Sequence, residues 1–375
     1  MEAIKMPMAN QGDCMISISL AMIVKNEEKT IERCLNSVAH IMDEIIIVDT
    51  GSTDKTKELC KKYTDKVYDF EWIDDFSAAR NYSYSLATKD YIMWLDADDI
   101  LLPEEAEKLQ ELKASLSKDI DIVMMKYATG VDINGNISFS YYRERLSKRE
   151  KDYLWKEPVH EYLNSFGKIY NSDITIIHAK PYEVKRDTDR NIRIYENLIR
   201  QGTPLSARGQ YYYARELKDH GRYEEAIEWF VRFLDSGKGW VEDNINACNE
   251  LGKCYLLINK PGEALKTFYR SFLYNLPRAE ICCQIAYYYQ SIKDYKKAAF
   301  WFEFALTLPK PEGSWGFYQP DFWDYIPLIE CAVCYDHLGE YEKAAEYNYR
   351  ALSVRPDSLA ALRNQEYFKN KLKQT

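Results

Sequence analysis

Residues 44–56 read EIIIVDTGSTDKT: four consecutive β-branched apolar residues at 45–48, then Asp49, Gly51 and a run of small hydroxyl side chains. The apolar run is strand-sized and lacks the in–out alternation of a half-exposed strand, so it belongs in a sheet covered on both faces. A helix is expected to start at Ser52, with Asp54 near its positive end. In an open parallel sheet, ligands gather just beyond the carboxyl ends of the strands. Residues 49–54 therefore stand where chemistry is expected.

Three more segments repeat this design. ISISLAMIV (16–24), KVYDFEW (66–72) and YIMWLDADD (91–99) read as strands, and each runs into a polar cluster. The clusters are Lys25-Asn26-Glu27-Glu28, Asp74-Asp75-Phe76-Ser77-Ala78-Ala79-Arg80-Asn81 and Asp96-Ala97-Asp98-Asp99. Between the strands, Ile31, Cys34, Leu35 and Val38 share one helical face, and a helix opening at Pro103 turns Ala106, Leu109, Leu112 and Leu116 inward. This alternation predicts an α/β domain with a mostly parallel sheet. After residue 119, two strand runs flank Asn134-Gly135, a hairpin signal, and KIYNSDITIIHA follows. Any one polar loop is weak evidence; four at the same edge of one sheet are not.

No G-x-G-x-x-G follows a strand and no Walker loop is present, which counts against the dinucleotide and P-loop classes. On an extended segment, residues i and i+2 point the same way. Asp96 and Asp98 are therefore expected to share one hard cation, with Asp99 facing elsewhere. Such a cation bridges diphosphate oxygens. The competing reading is a solvated acidic turn.

The 375 residues are 46% hydrophobic and 29% charged, a globular composition sized for two domains. A net charge of −9 argues against nucleic-acid binding. MEAIKMPMANQGDCM carries no basic stretch followed by an apolar one, and no apolar run approaches a membrane span. With nine cysteines, this predicts reduced thiols in a cytoplasmic protein.

Beyond residue 205 a helical repeat replaces the strand pattern. Ala226, Ala264, Ala298 and Ala344 each open a second helix, at spacings of 38, 34 and 46 residues. Twelve residues earlier stand Ala214, Gly252, Ala286 and Ala332, and three residues after those come Leu217, Tyr255, Tyr289 and Tyr335. Gly221 and Gly339 occupy inter-helix turns, with Asn259 at the same place in the second repeat. This half resembles the tetratricopeptide (TPR) repeat, about 34 residues long. Cys248, Cys254, Cys282, Cys283, Cys331 and Cys334 fall on first helices, so Cys331-x-x-Cys334 is read as packing rather than as a redox or zinc motif.

AMIVKNEE, EIIIVDTGSTDKT, DDFSAARN and WLDADD together resemble the ordered motifs of family 2 glycosyltransferases with the GT-A fold, and most closely the bacterial subgroup with C-terminal TPR repeats. The resemblance implies inverting transfer of a hexose-type sugar from a nucleotide-diphosphate sugar, with a UDP-sugar as the expected donor and Mn²⁺ or Mg²⁺ as cofactor. It places Val24, Asn26 and Glu28 at the nucleoside, Asp49 at the base and Ser52 closing that turn. Arg80 is assigned to the nucleotide or diphosphate, Asp96 to the ribose with Ala97 beside it, and Asp98 to the metal. Lys25 stands where many members carry an aromatic residue under the base. IIHAKPY resembles the position of a late metal-binding histidine, which makes His178 a candidate ligand; a hydrogen-bonded structural role is the alternative. The Val159-His160-Glu161 tripeptide resembles an acceptor-side motif, so Glu161 is the candidate base with His160 beside it, and Glu157, Asp98 and Asp99 are rivals.

The expected organisation is a tail at 1–15, a GT-A-like domain at 16–183, a helical connector at 184–205, about four TPR repeats at 206–357 and a capping helix at 358–375. The acceptor is expected to be a peptide or protein side chain held partly by the repeats, since the subgroup includes enzymes acting on cysteine or serine of bacteriocin-like peptides. A polysaccharide or cell-surface glycan, or a scaffold that binds nucleotide sugars with little turnover, are the alternatives. Oligomeric state stays open, a homo-oligomer included.

Overall fold

The computed structural model describes residues 15–131, 137–179, 187–310 and 319–373. The chain divides into two compact units, and the division falls between Asn197 and Leu198.

The first unit contains β1 (Ile18–Val24), α1 (Ile31–Val38), β2 (Glu44–Asp49), α2 (Thr56–Cys60), β3 (Val67–Asp69), α3 (Phe76–Ser85), β4 (Tyr91–Trp94), β5 (Asp99–Ile100), α4 (Pro103–Ser115), β6 (Ile122–Val131), β7 (Ile137–Lys148), β8 (Trp155–Lys156), β9 (Tyr162–Leu163), β10 (Ile169–His178) and the greater part of α5 (Arg190–Arg200). Eight strands form one sheet in the order β3-β2-β1-β4-β7-β6-β10-β5. β1 lies parallel to both β2 and β4, and β2 to β3, so these four strands share one carboxyl edge. Both faces are packed. Leu20, Met22, Ile47 and Met93 enter one apolar cluster, while Ala21, Ile46, Val48 and Trp94 enter another. All six residues of β2 are buried, as the unbroken apolar run requires.

The sheet is mixed. β7 runs antiparallel to both β4 and β6, and β5 runs antiparallel to β10. The Asn134-Gly135 turn expected between β6 and β7 lies outside the described residues. The buried face of α1 is Ile31, Cys34, Leu35 and Val38, and α4 starts at Pro103, as the spacing predicts. Two local expectations are corrected. The second helix begins at Thr56 rather than Ser52, because Asp54 accepts hydrogen bonds from the Thr56 N–H and hydroxyl and so acts outside the helix. The strand expected over 66–72 pairs only through Asp69; Phe70 N donates to Asp49 O at 2.8 Å, and the chain then departs.

The second unit contains α6 (Ala207–Asp219), α7 (Tyr223–Asp235), α8 (Val241–Leu257), α9 (Pro261–Arg270), α10 (Ala279–Ser291), α11 (Tyr295–Thr307), α12 (Tyr325–His337), α13 (Tyr341–Val354) and α14 (Leu359–Lys371). Ala214, Gly252, Ala286 and Ala332 fall on α6, α8, α10 and α12. A Cβ at Gly252 would meet the Phe268 ring at 2.1 Å, which explains the smallest side chain there. The four inter-helix turns obey one rule. Gly221, Asn259, Lys293 and Gly339, seven residues after each small residue, all have positive φ, between 58° and 78°. After each, the next backbone N–H donates back five residues: Arg222 to Leu217, Lys260 to Tyr255, Asp294 to Tyr289 and Glu340 to Tyr335, at 2.8–2.9 Å. This left-handed helix ending satisfies carbonyls that the helix leaves open. Cys331 and Cys334 are buried thiols without a disulfide, and burial pushes the Cys334 thiol up to about 12, consistent with packing.

Candidate functional site

The ends of β1 and β2 are tied to one another. Asp49, 1% exposed, accepts from Ser52 N with both carboxylate oxygens, at 3.0 and 2.9 Å. Gly51 between them has φ +98°, a conformation that glycine tolerates and other residues resist. Asn26 N donates to Ser52 Oγ at 2.9 Å, and Asn26 Oδ1 accepts from Thr53 N at 2.8 Å. Glu28 Oε2 accepts from Lys55 N, while Glu28 N donates to Asp54. Val24 is buried and its carbonyl accepts from Thr50 N and Oγ1. Val24, Asn26, Glu28, Asp49 and Ser52 thus share one strand edge. Across it, the exposed Lys25 sets its ammonium 6.0 Å from the Trp72 ring, which leans edge-on against Phe76.

Arg80 lies on α3, which the sequence reading did not resolve as a helix. Asp75 caps it by accepting from Ala78 N at 3.0 Å. The Arg80 guanidinium is 4.7 Å from the Trp94 ring and 4.8 Å from Trp155. Its Nε donates to Glu161 Oε1 at 2.6 Å and its Nη2 to Asp96 Oδ1 at 2.8 Å. Arg80 was expected to face the nucleotide or diphosphate. It is instead buried, with two carboxylates occupying its fork. Burial opposes the charge on Asp96, but Arg80 and then Arg145 outweigh it and bring its pKa to about 2. Glu161 follows a loop whose backbone is unusual: Glu157 and His160 both have positive φ, 74° and 54°. That conformation costs a non-glycine residue about 1–2 kcal/mol. It is anchored by Phe76 N donating to Pro158 O at 2.9 Å and by the Tyr195 hydroxyl donating to Val159 O at 3.3 Å.

The geometry of Asp96-Ala97-Asp98-Asp99 departs from the expectation. β4 ends at Trp94, and Asp99 N donates to Asp96 O at 3.0 Å, so the segment is a tight turn rather than an extended strand. The two-residue period does not apply there. Asp96 turns to Arg80, and Asp99 joins Asp98. Pairing of β5 with β10 sets His178 opposite Asp99, and Ala179 N donates to Asp98 O. His178 Nδ1 is 3.2 Å from Asp98 Oδ1 and 3.3 Å from Asp99 Oδ1. Burial lowers the His178 pKa, but the two carboxylates override it and raise it to about 9.

Among the described residues, Asp98, Asp99 and His178 form the one group of three potential metal ligands, their atoms within 4.8 Å of one another. Two oxygens and one imidazole nitrogen suit a borderline-hard divalent ion such as Mn²⁺. Asp99 is already committed: its oxygens accept from Arg145 Nη1 (2.9 Å), the Tyr127 hydroxyl (2.9 Å) and Asp96 N (3.0 Å). Asp98 and His178 are therefore the candidates for direct ligation, with Asp99 held beside them by Arg145 and Tyr127. Sequence reasoning missed Tyr127, Arg143, Arg145 and the role of Asp99. Two arginines at alternate positions of a strand, 143 and 145, were the available signal.

Residues 19–173 match Glycosyl transferase family 2, and residues 279–310 match a tetratricopeptide repeat. A TPR repeat-containing protein of Synechococcus elongatus is 36% identical over 152 residues, 40% of this chain and 36% of that protein. The SPbeta prophage-derived glycosyltransferase SunS of Bacillus subtilis is 28% identical over 294 residues, 74% of this chain and 66% of that protein. This chain thus spans less than two thirds of either relative's length. A solved tetratricopeptide repeat protein from Parabacteroides merdae covers 50% of this chain and 68% of its own at 13% identity and TM-score 0.39. No helix among the described residues is long and apolar enough to cross a membrane.

Proposed function

We propose, from the family 2 glycosyltransferase domain and the tetratricopeptide repeats that this chain carries, that it moves a sugar from a nucleotide-diphosphate sugar to an acceptor with inversion at the anomeric carbon. A UDP-sugar is the expected donor. The observation that carries this reading is the meeting of Asp98, His178 and the Arg80-bridged pair Asp96–Glu161 beside the carboxyl edge of the sheet.

A divalent cation held by Asp98 and His178 would supply neutralising charge for the departing diphosphate. The chain's own residues do the rest. The zipped ends of β1 and β2, with Asp49 and Asn26, bind the nucleoside. Asp96, fixed by Arg80, receives the ribose. Glu161 takes the acceptor's proton: Arg80 holds its Oε1, and its Oε2 has no partner among the described residues. Arg80 is a positioning residue that sets Asp96 and Glu161 apart by the width of one guanidinium.

Donor binding belongs to residues 16–183, joined by 184–205 to the repeats at 206–357 and the cap at 358–375. Repeat stacks expose extended surfaces suited to polypeptides, so a peptide or protein side chain is the proposed acceptor. The test is a thermal-shift screen of nucleotide sugars with and without Mn²⁺. One nucleotide sugar should raise the melting temperature in proportion to its concentration, and more so with Mn²⁺. No shift from any nucleotide sugar would sink the reading.

A further inference from the structure

Three guanidinium groups surround Trp94: Arg145 at 3.8 Å, Arg80 at 4.7 Å and Arg143 at 4.9 Å from its ring. Two of them are committed within the protein. Arg80 has its fork filled by Glu161 and Asp96. Arg145 is wholly buried, and its Nη1 donates to Asp99 and to Trp94 O. Its Nε and Nη2 lack partners, but with no exposed surface they meet no ligand. Arg143 differs on every count. Its side chain is 25% exposed, and its one ion pair is a 3.5 Å contact from Nε to Glu144. Among the described residues the Arg143 guanidinium donates no hydrogen bond, so its two terminal nitrogens remain available.

Its place in β7 is equally specific. Tyr141, two residues before it, pairs with Tyr127. The Tyr127 hydroxyl donates to Asp99, and its ring lies 5.4 Å from the His178 ring. Arg145, two residues after it, holds Asp99 directly. Arg143 thus sits between Arg145, which grips the candidate metal cluster, and Tyr141, the strand partner of the Tyr127 that also grips it. Burial works against its charge, but Glu144, Tyr141, Glu161 and Asp96 together hold its pKa above the ordinary arginine value. It stays cationic beside both halves of the site.

We propose that Arg143 is the cationic contact for the departing diphosphate, the task that the sequence motif assigned to Arg80. This rests on the donor reading above. As the acceptor oxygen bonds to the anomeric carbon, the bond from that carbon to the diphosphate breaks, and its electron pair stays on the phosphate oxygen. The acceptor's proton passes to Glu161. A planar fork with two open N–H groups matches phosphate oxygens bidentately, which neither Arg80 nor Arg145 offers.

The test measures binding by calorimetry of UDP, GDP, dTDP, inorganic pyrophosphate and uridine, with Mn²⁺ present, to the full chain and to Arg143→Ala, Arg143→Gln and Arg143→Lys. Arg143→Gln keeps a flat polar group against Trp94 and guards against a folding defect in the alanine variant. Losing one charged hydrogen-bonding partner should weaken the nucleoside diphosphate that binds, and pyrophosphate with it, by about 10- to 100-fold. Uridine binding should not change. The loss should shrink at high salt, and Arg143→Lys should recover part of it. With donor saturating, kcat should fall more than KM rises. Unchanged diphosphate affinity in both neutral variants would overturn this assignment alone. Failure of every nucleoside diphosphate to bind the unaltered chain would overturn the donor reading together with it.

Discussion

Replacing Asp99 by alanine should damage the fold more than replacing its neighbour Asp98. Asp99 is 0% exposed and answers four groups: Arg145, Tyr127, the backbone of Asp96 and His178. Without it, Arg145 keeps a buried charge beside Trp94 O and two aromatic rings, with no carboxylate in reach of its Nη1. Removing one partner of a buried ion pair costs about 3–5 kcal/mol. For a unit of this size, one kcal/mol moves the melting temperature by about 2–4 °C, so a drop of roughly 6–20 °C is expected. Asp98 leaves Asp99 in place against His178, so Asp98→Ala should cost much less. Urea and thermal unfolding, followed by circular dichroism with chelator present, separate this from any metal contribution. Arg145→Met combined with Asp99→Ala should be less destabilised than the two single changes summed, because the orphaned charge is gone. If Asp99→Ala melts within about 2 °C of the parent, less than one kcal/mol, the account of Asp99 as the buried anchor of the turn is wrong.

Glu161→Gln should leave donor affinity nearly intact and lower turnover of a hydroxyl acceptor by roughly 10²–10⁴-fold, less for a thiol acceptor at high pH; near-normal turnover would move the role to Glu157. Lys293→Gly should raise stability by about 0.5–1 kcal/mol in urea titration, because φ of 62° strains a lysine but not a glycine; a loss would mean the left-handed turn is not needed there. Glu44 titrates in the acid range. Burial raises its pKa, yet Lys66, Ser19 and Thr88 pull it from 4.5 down to about 2, so its contribution is present above 4.5 and lost as pH falls toward 2. Glu44→Gln should flatten the acid limb of the stability–pH curve over that interval, and an unchanged limb would refute the assignment.

The elements legible in the sequence were those whose buried face is apolar and periodic. Ile31, Cys34, Leu35 and Val38 announce α1, and the run at 45–48 announces β2, because burial alone decides both. The repeat turns were legible through glycine at 221 and 339 and Asn259, while Lys293 hid the remaining left-handed turn behind a side chain that rarely adopts it. α3 was invisible for the opposite reason: its buried face is Ser77, Ala79, Arg80, Ser83 and Tyr84, which shows no apolar period. Asp96-Ala97-Asp98 misled because a strand was carried past Trp94, where the Asp99-to-Asp96 hydrogen bond bends the chain. Nor could sequence spacing reveal that Arg80 faces Glu161, 81 residues away, rather than solvent and ligand. Long-range ion pairs are decided by tertiary packing, which local pattern does not encode.

The central claim is that the site at Asp98, His178 and Glu161 breaks the bond between a sugar and a nucleoside diphosphate. Incubating the purified chain with Mn²⁺ and each of a panel of nucleotide sugars, without acceptor, and quantifying released nucleoside diphosphate tests it most directly. The account predicts slow release from one nucleotide sugar, abolished by chelator and by Asp98→Ala, in protein that remains folded. A nucleotide sugar that binds the chain, as thermal shift would report, yet releases no nucleoside diphosphate with or without added acceptor peptide would contradict the claim and leave a nucleotide-sugar-binding scaffold in its place.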